Sequence, residues 1–103
     1  MLLIREIMYC KPGKVRAMVD KFKAISKFGE KSGWPKTKVM TDFCGERFWT
    51  LIAEMEVDSV KKFEDMMQGI GQNPDDAKEF EKLMQGYHDL VDHGRREIYK
   101  IES

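Results

Sequence analysis

Tyr87 and His88 form the adjacent pair in this chain best equipped to move a proton or bind an iron centre. An imidazole titrates near neutral pH and can serve as an axial ligand to haem iron. If residues from Pro74 to near Gly94 form one helix, the turn of roughly 100° per residue sets His88 roughly 90° from the middle of its apolar stripe. That is the edge of a cleft between helix and sheet, and it makes His88 the candidate catalytic residue. The plainer reading is a boundary histidine bonded to a neighbour. His93, on the far side of the same helix, reads as a partner for the C-terminal dipole. Being five residues apart, the two histidines do not share a helix face and make no metal pair.

A second group is "DFCGERFW", residues 42–49, where an acid, a thiol, a second acid, an arginine and two aromatics crowd together. Asp42 and Glu46 disfavour a Cys44 thiolate against Arg47 alone, so a nucleophile is not expected. Trp49 and Tyr9 could stack an aromatic ligand in the cleft, although such side chains more often fill a core. Met18, Met55, Met66, Met67 and Met84 would supply a deformable wall for apolar ligands, or simply core volume. The expected ligand-binding set is therefore Tyr9, Trp49, Tyr87 and His88. Glu54 and Glu56 lie two apart on one strand face and read as interfacial ion-pair partners rather than an acid/base pair. No phosphate-binding loop, dinucleotide fingerprint, nucleophile elbow or metal-spaced His/Cys/Asp set occurs, and no cofactor or metal is called for.

The elements that must position these residues follow from period and punctuation. Residues 2–10 read as a strand apolar on both faces, closed by the Pro12–Gly13 turn. A helix from about Lys14 to Lys31 carries Val15, Met18, Val19, Phe22, Ile25, Ser26 and Gly29 in one stripe. Ser26 and Gly29 leave that stripe thin, where a strand or ligand could approach. Residues 37–44 and 47–57 read as strands joined by a two-residue Gly45–Glu46 turn of type II′. Alternation puts Trp49, Leu51, Ala53, Met55 and Val57 toward the helices and Phe48, Thr50, Ile52, Glu54 and Glu56 on the other face. Asp58–Ser59 caps a second helix bearing Val60, Phe63, Met66, Met67 and Ile70. "GIGQN" interrupts it, and Asn73 with Pro74 starts the third helix, which buries Ala77, Phe80, Leu83, Met84, Tyr87, Leu90 and Val91. Residues 95–102 form a last short strand.

This order gives an α+β fold: a ferredoxin-like, four-stranded antiparallel sheet in a single domain, residues 1–103, with helices on one face. The other face, half aliphatic and half acidic, is too apolar for water and too charged for a dry core. A second copy of the chain would cover it, with Arg5, Lys38 or Lys100 available to the carboxylates. Lysine plus arginine equals aspartate plus glutamate at 18 each. No net field therefore draws the chain to nucleic acid or an anionic membrane. The opening "MLLIREIMYC" is too charged for a signal-peptide core, which makes the cytoplasm the expected compartment and Cys10 and Cys44 free thiols.

"REIMYCKPGK" (5–14) resembles the first strand and turn of NIPSNAP-like proteins. "AEMEVDSVKKFEDMM" (53–67) resembles the third strand and serine-capped helix shared by that group and the antibiotic-biosynthesis monooxygenases, and "GRREIYKIE" fits the group's last strand. The resemblance implies a homodimeric α+β barrel with a sheet–helix cleft in each subunit. It also implies chemistry ranging from cofactor-independent oxygenation of aromatics to haem degradation. In the oxygenase and haem-degrading members an aromatic residue ends the third strand, where this chain has Val57. Three readings result: a binder of a small apolar or aromatic molecule, with cofactor-independent oxygenase-like activity as its finer form; a non-catalytic structural dimer; and a haem-binding or haem-degrading protein using His88.

Overall fold

The structure is a computed structural model that describes residues 1–69 and 72–103. Ile70, assigned above to the second helix, lies outside the described residues. The elements are β1 (Leu2–Cys10), α1 (Val15–Lys31), β2 (Lys38–Thr41), β3 (Thr50–Val57), α2 (Val60–Gly69), α3 (Pro74–Met84), α4 (Tyr87–Leu90) and β4 (Val91–Lys100). The sheet is antiparallel in the order β2-β3-β1-β4, so the two strands that follow helices, β2 and β4, form its edges. With the helices packed on one face, this is the expected ferredoxin-like α+β arrangement.

Helix α1 ends as its sequence requires. Gly33 takes φ +80°, Trp34 N–H bonds to Gly29 O at 2.8 Å, and Gly33 N–H bonds to Glu30 O at 3.2 Å. This Schellman closure satisfies the last carbonyls and folds the chain back on the helix. The Trp34 indole thereby lands on Gly29, where a β-carbon would come within 2.6 Å of the ring. The thin end of the stripe is thus filled by a residue five positions later. Ser59 Oγ accepts the N–H of Lys62 at the start of α2, and Asn73 Oδ1 accepts those of Asp75 and Asp76 at the start of α3. Both caps were legible in the sequence.

Two elements differ from expectation. The tight hairpin is absent: β2 stops at Thr41, β3 begins at Thr50, and residues 42–49 form a wide loop. Asp42 causes this. Its N–H bonds to Thr50 O at 3.2 Å while its Oδ1 accepts Thr50 N–H at 2.8 Å, closing the loop eight residues wide. Trp49, at φ +60°, breaks the alternation that would have carried Phe48 and Trp49 into the strand. The third helix does not reach Gly94 either. It breaks at Gln85–Gly86, with Gly86 at φ +80°. Lys21 Nζ donates to Leu83 O at 2.9 Å and also to Gln85 O, satisfying carbonyls that the broken helix leaves free. After one turn of α4 the chain is already strand, so β4 runs ten residues and His93 sits in the sheet rather than at a helix end.

The core falls into two clusters. Met18 and Val19 pack with Cys10, Leu51 and Ala53; Ile4, Val57 and Phe63 form the other. A domain of this size ordinarily has one contiguous core. Between the two lies a space.

Candidate functional site

That space is a cavity of about 260 Å³ between the helix-facing side of the sheet and the inner sides of α1, α2 and α3. Its floor is Ile4, Glu6 and Met8 of β1 with Ala53 and Met55 of β3; its roof is Phe22, Ile25 and Ser26 of α1, Phe63 and Met67 of α2, and Phe80 and Met84 of α3. Trp34, Thr37, Tyr87 and Arg96 complete the lining. Four of these residues are methionines, Met8, Met55, Met67 and Met84, whose unbranched thioethers adapt to irregular contents. Met18 instead is fully buried in the core, and Met66 packs against the second cluster.

Few polar groups reach this cavity. The Glu6 carboxylate accepts from Arg96 of β4, and the Arg96 guanidinium lies 4.9 Å from the centre of the Phe63 ring. The charge is therefore paired at the rim, on the β4 side of the cavity. The Tyr87 hydroxyl donates to Met8 Sδ at 2.9 Å. Burial first, then the Glu6 charge and Cys10, push the Tyr87 hydroxyl above its ordinary pKa, which keeps it a protonated donor. Burial, with a contribution from Asp42, raises the Cys10 thiol in the same way. Cys10 is buried, Cys44 is exposed, and neither is in a disulfide.

The structure separates the four expected ligand residues. Only Tyr87 lines the sheet–helix cavity. His88 stands next to it, ring centroids 5.3 Å apart, but is exposed and does not line the space. Tyr9 belongs to the opposite face, because it shares its parity with Arg5 and Ile7. Trp49, 41% exposed, lies in the 42–49 loop rather than on the helix-facing side of β3.

On that opposite face Tyr9 anchors a polar cluster the sequence did not disclose. Arg47 sits 4.4 Å above its ring and Arg95 hydrogen-bonds its hydroxyl. Arg47 Nη1 lies 3.0 Å from His93 Nε2, and His93 Nδ1 is 2.8 Å from Asp92. Farther along, Arg5 Nε contacts Glu54 at 2.8 Å, an ion contact without hydrogen-bond alignment, and Arg5 Nη1 reaches Glu97 at 3.5 Å. Arg95 and Tyr99 both donate to Glu97 and hold its carboxyl below the usual carboxylate range, Arg95 most strongly. Glu54 thus has its partner within its own sheet. Lys100, offered above as another, lies near Glu102 at 3.6 Å. Among the described residues no group of three or more His, Cys, Asp and Glu could hold a metal ion. No helix among them is long and apolar enough to cross a membrane.

No family model matches the sequence, and no curated protein is significantly similar to it. Solved structures are. An uncharacterized NIPSNAP domain protein from Burkholderia xenovorans superposes with a TM-score of 0.79 at 10% identity, covering 100% of this chain and 96% of that one. A NIPSNAP family protein from Agrobacterium tumefaciens gives 0.77 at 10% identity, covering 96% and 90%. A putative antibiotic biosynthesis monooxygenase from Nitrosomonas europaea gives 0.71 at 8% identity, covering 97% of each. The fold is theirs. At such identities the likeness extends to architecture, which is the architecture the sequence motifs resembled.

Proposed function

We propose that this protein binds a small apolar or aromatic molecule between its sheet and its helices. The observation that carries the reading is the cavity of about 260 Å³ dividing the core, walled by methionines and aromatics and supplied with the hydroxyls of Tyr87, Ser26 and Thr37 and one Glu6–Arg96 pair. Specific small-molecule sites have this character, mostly apolar with a few placed polar groups. Indane, a bicyclic hydrocarbon, is a suitable first probe. It should raise the melting temperature of the wild-type chain, and Ser26→Leu, which fills the cavity from α1, should abolish that rise without lowering the melting temperature of the free protein. Absence of any shift at saturating indane would leave the second reading, a non-catalytic structural dimer.

Oxygenase-like chemistry using the substrate's own electrons is the finer form of this proposal. It draws on the fold shared with the monooxygenase-named structures and on a largely apolar chamber between sheet and helices. The haem reading draws less support, since His88 is exposed outside the cavity. Haemin should give no Soret shift that His88→Ala removes. We further propose that a second copy covers the helix-free sheet face, supported by the partly exposed Leu3, Met40 and Ile52 interspersed among its ion pairs and by Tyr99, 48% exposed beside them.

A further inference from the structure

We infer that the ligand of this cavity is an uncharged molecule of one or two rings, or of equivalent bulk, carrying a hydrogen-bond-accepting oxygen that takes the Tyr87 hydroxyl from Met8 Sδ. The inference rests on the binding role proposed above and specifies its ligand.

Size sets the first limit. An apolar cavity of roughly 150 Å³ accommodates benzene. A space of about 260 Å³ therefore has room for a bicyclic molecule.

Charge sets the second. Among the residues lining the cavity, Glu6 and Arg96 carry the formal charges, and each already engages the other. An anionic ligand would meet Glu6 with no free cation to offset it. A cationic one would have to take Glu6 from Arg96 and leave a guanidinium unpaired. Both cost more than the apolar walls return for a neutral molecule.

The third limit is the hydroxyl itself. Tyr87 is half-buried, and its donor is spent on a thioether, a weak acceptor. A carbonyl or ether oxygen is a stronger one. Met8 is unbranched and can turn its sulfur aside at small cost. A ligand oxygen that takes over this donor improves a bond without burying an unsatisfied group.

Matched probes test this: indane and 1-indanone, which differ by one carbonyl, titrated calorimetrically against wild type, Tyr87→Phe and Met8→Leu. Tyr87→Phe should weaken 1-indanone about tenfold and leave indane within about twofold. Met8→Leu, which removes the competing sulfur and keeps the hydroxyl, should hold or improve 1-indanone affinity. Equal losses for both probes in Tyr87→Phe, or no loss for either, would overturn the assignment while leaving the cavity a binding site. Failure of wild type to bind indane would instead remove the binding role on which the assignment stands.

Discussion

Gly29 meets the Trp34 indole so closely that a methyl group has no room: a β-carbon there would lie 2.6, 3.1 and 3.3 Å from three atoms of that side chain. The indole cannot simply swing clear, because it also packs edge-on against Phe28, ring centroids 5.6 Å apart. Gly29→Ala should therefore destabilise by about 1–3 kcal/mol, read as a lower urea midpoint. Two titrating residues set a pH window. Glu97 is held below its ordinary value, so its contribution is complete above about pH 4.3 and is lost as pH falls through the lower folded value. Cys10 is displaced upward, so its contribution is complete below about pH 8.5 and is lost as pH rises toward the folded value. The urea midpoint of the wild type should fall as pH rises above about 8.5, and more steeply than that of Cys10→Ala. At this scale the sequence was uneven. Ser26 and Gly29 announced themselves by spacing. Tyr9 did not, because β1 is apolar on both faces and carries one charge on each, Arg5 and Glu6, so nothing marked which parity faced the helices.

Helix α3 owes its start to Asn73, whose side chain accepts two backbone N–H groups. Asn73→Ala should cost about 1 kcal/mol, visible as a melting temperature lower by roughly 4–8 °C. Its end owes as much to Lys21, reaching from α1 to carbonyls at the break. Lys21→Met keeps the aliphatic stem and removes the donors; hydrogen exchange at Tyr87–Leu90 should accelerate while that of β1 stays as it was. Strand β1, helix α1 and both caps were legible because period and punctuation agreed there. The break at Gly86 was not. Leu83, Tyr87, Leu90 and Val91 continue the three- and four-residue spacing straight through it, so the apolar pattern outlasts the helix. The 42–49 loop was hidden for a different reason: Asp42 closes it with its own side chain, a local bond that competes with a two-residue turn.

Taken whole, the molecule is helices and sheet in two layers, with one sheet face carrying no helix and the 42–49 loop covering its Ile7–Tyr9 end. That face mixes aliphatic side chains with a row of ion pairs running from Glu54 through Arg5 and Glu97 to Arg95. Sedimentation at micromolar concentration should return twice the 12.1 kDa chain mass. Reversing the row's centre with Arg5→Glu should lower that mass toward the single chain, since it strands three acids together on the face. The architecture was readable because element order alone restricts it to few arrangements. The cavity was not, because its volume depends on how far two packed clusters stand apart, which no pattern of residue types records.

The wide loop after β2 has a practical corollary. It offers Phe43 and Phe48 bare to solvent, at 103% and 84% exposure, on backbone outside any regular element. Chymotrypsin should nick the native chain there first, leaving two fragments held together by the sheet. The rate of that single cut, followed against protein concentration, would show whether assembly shields the tip.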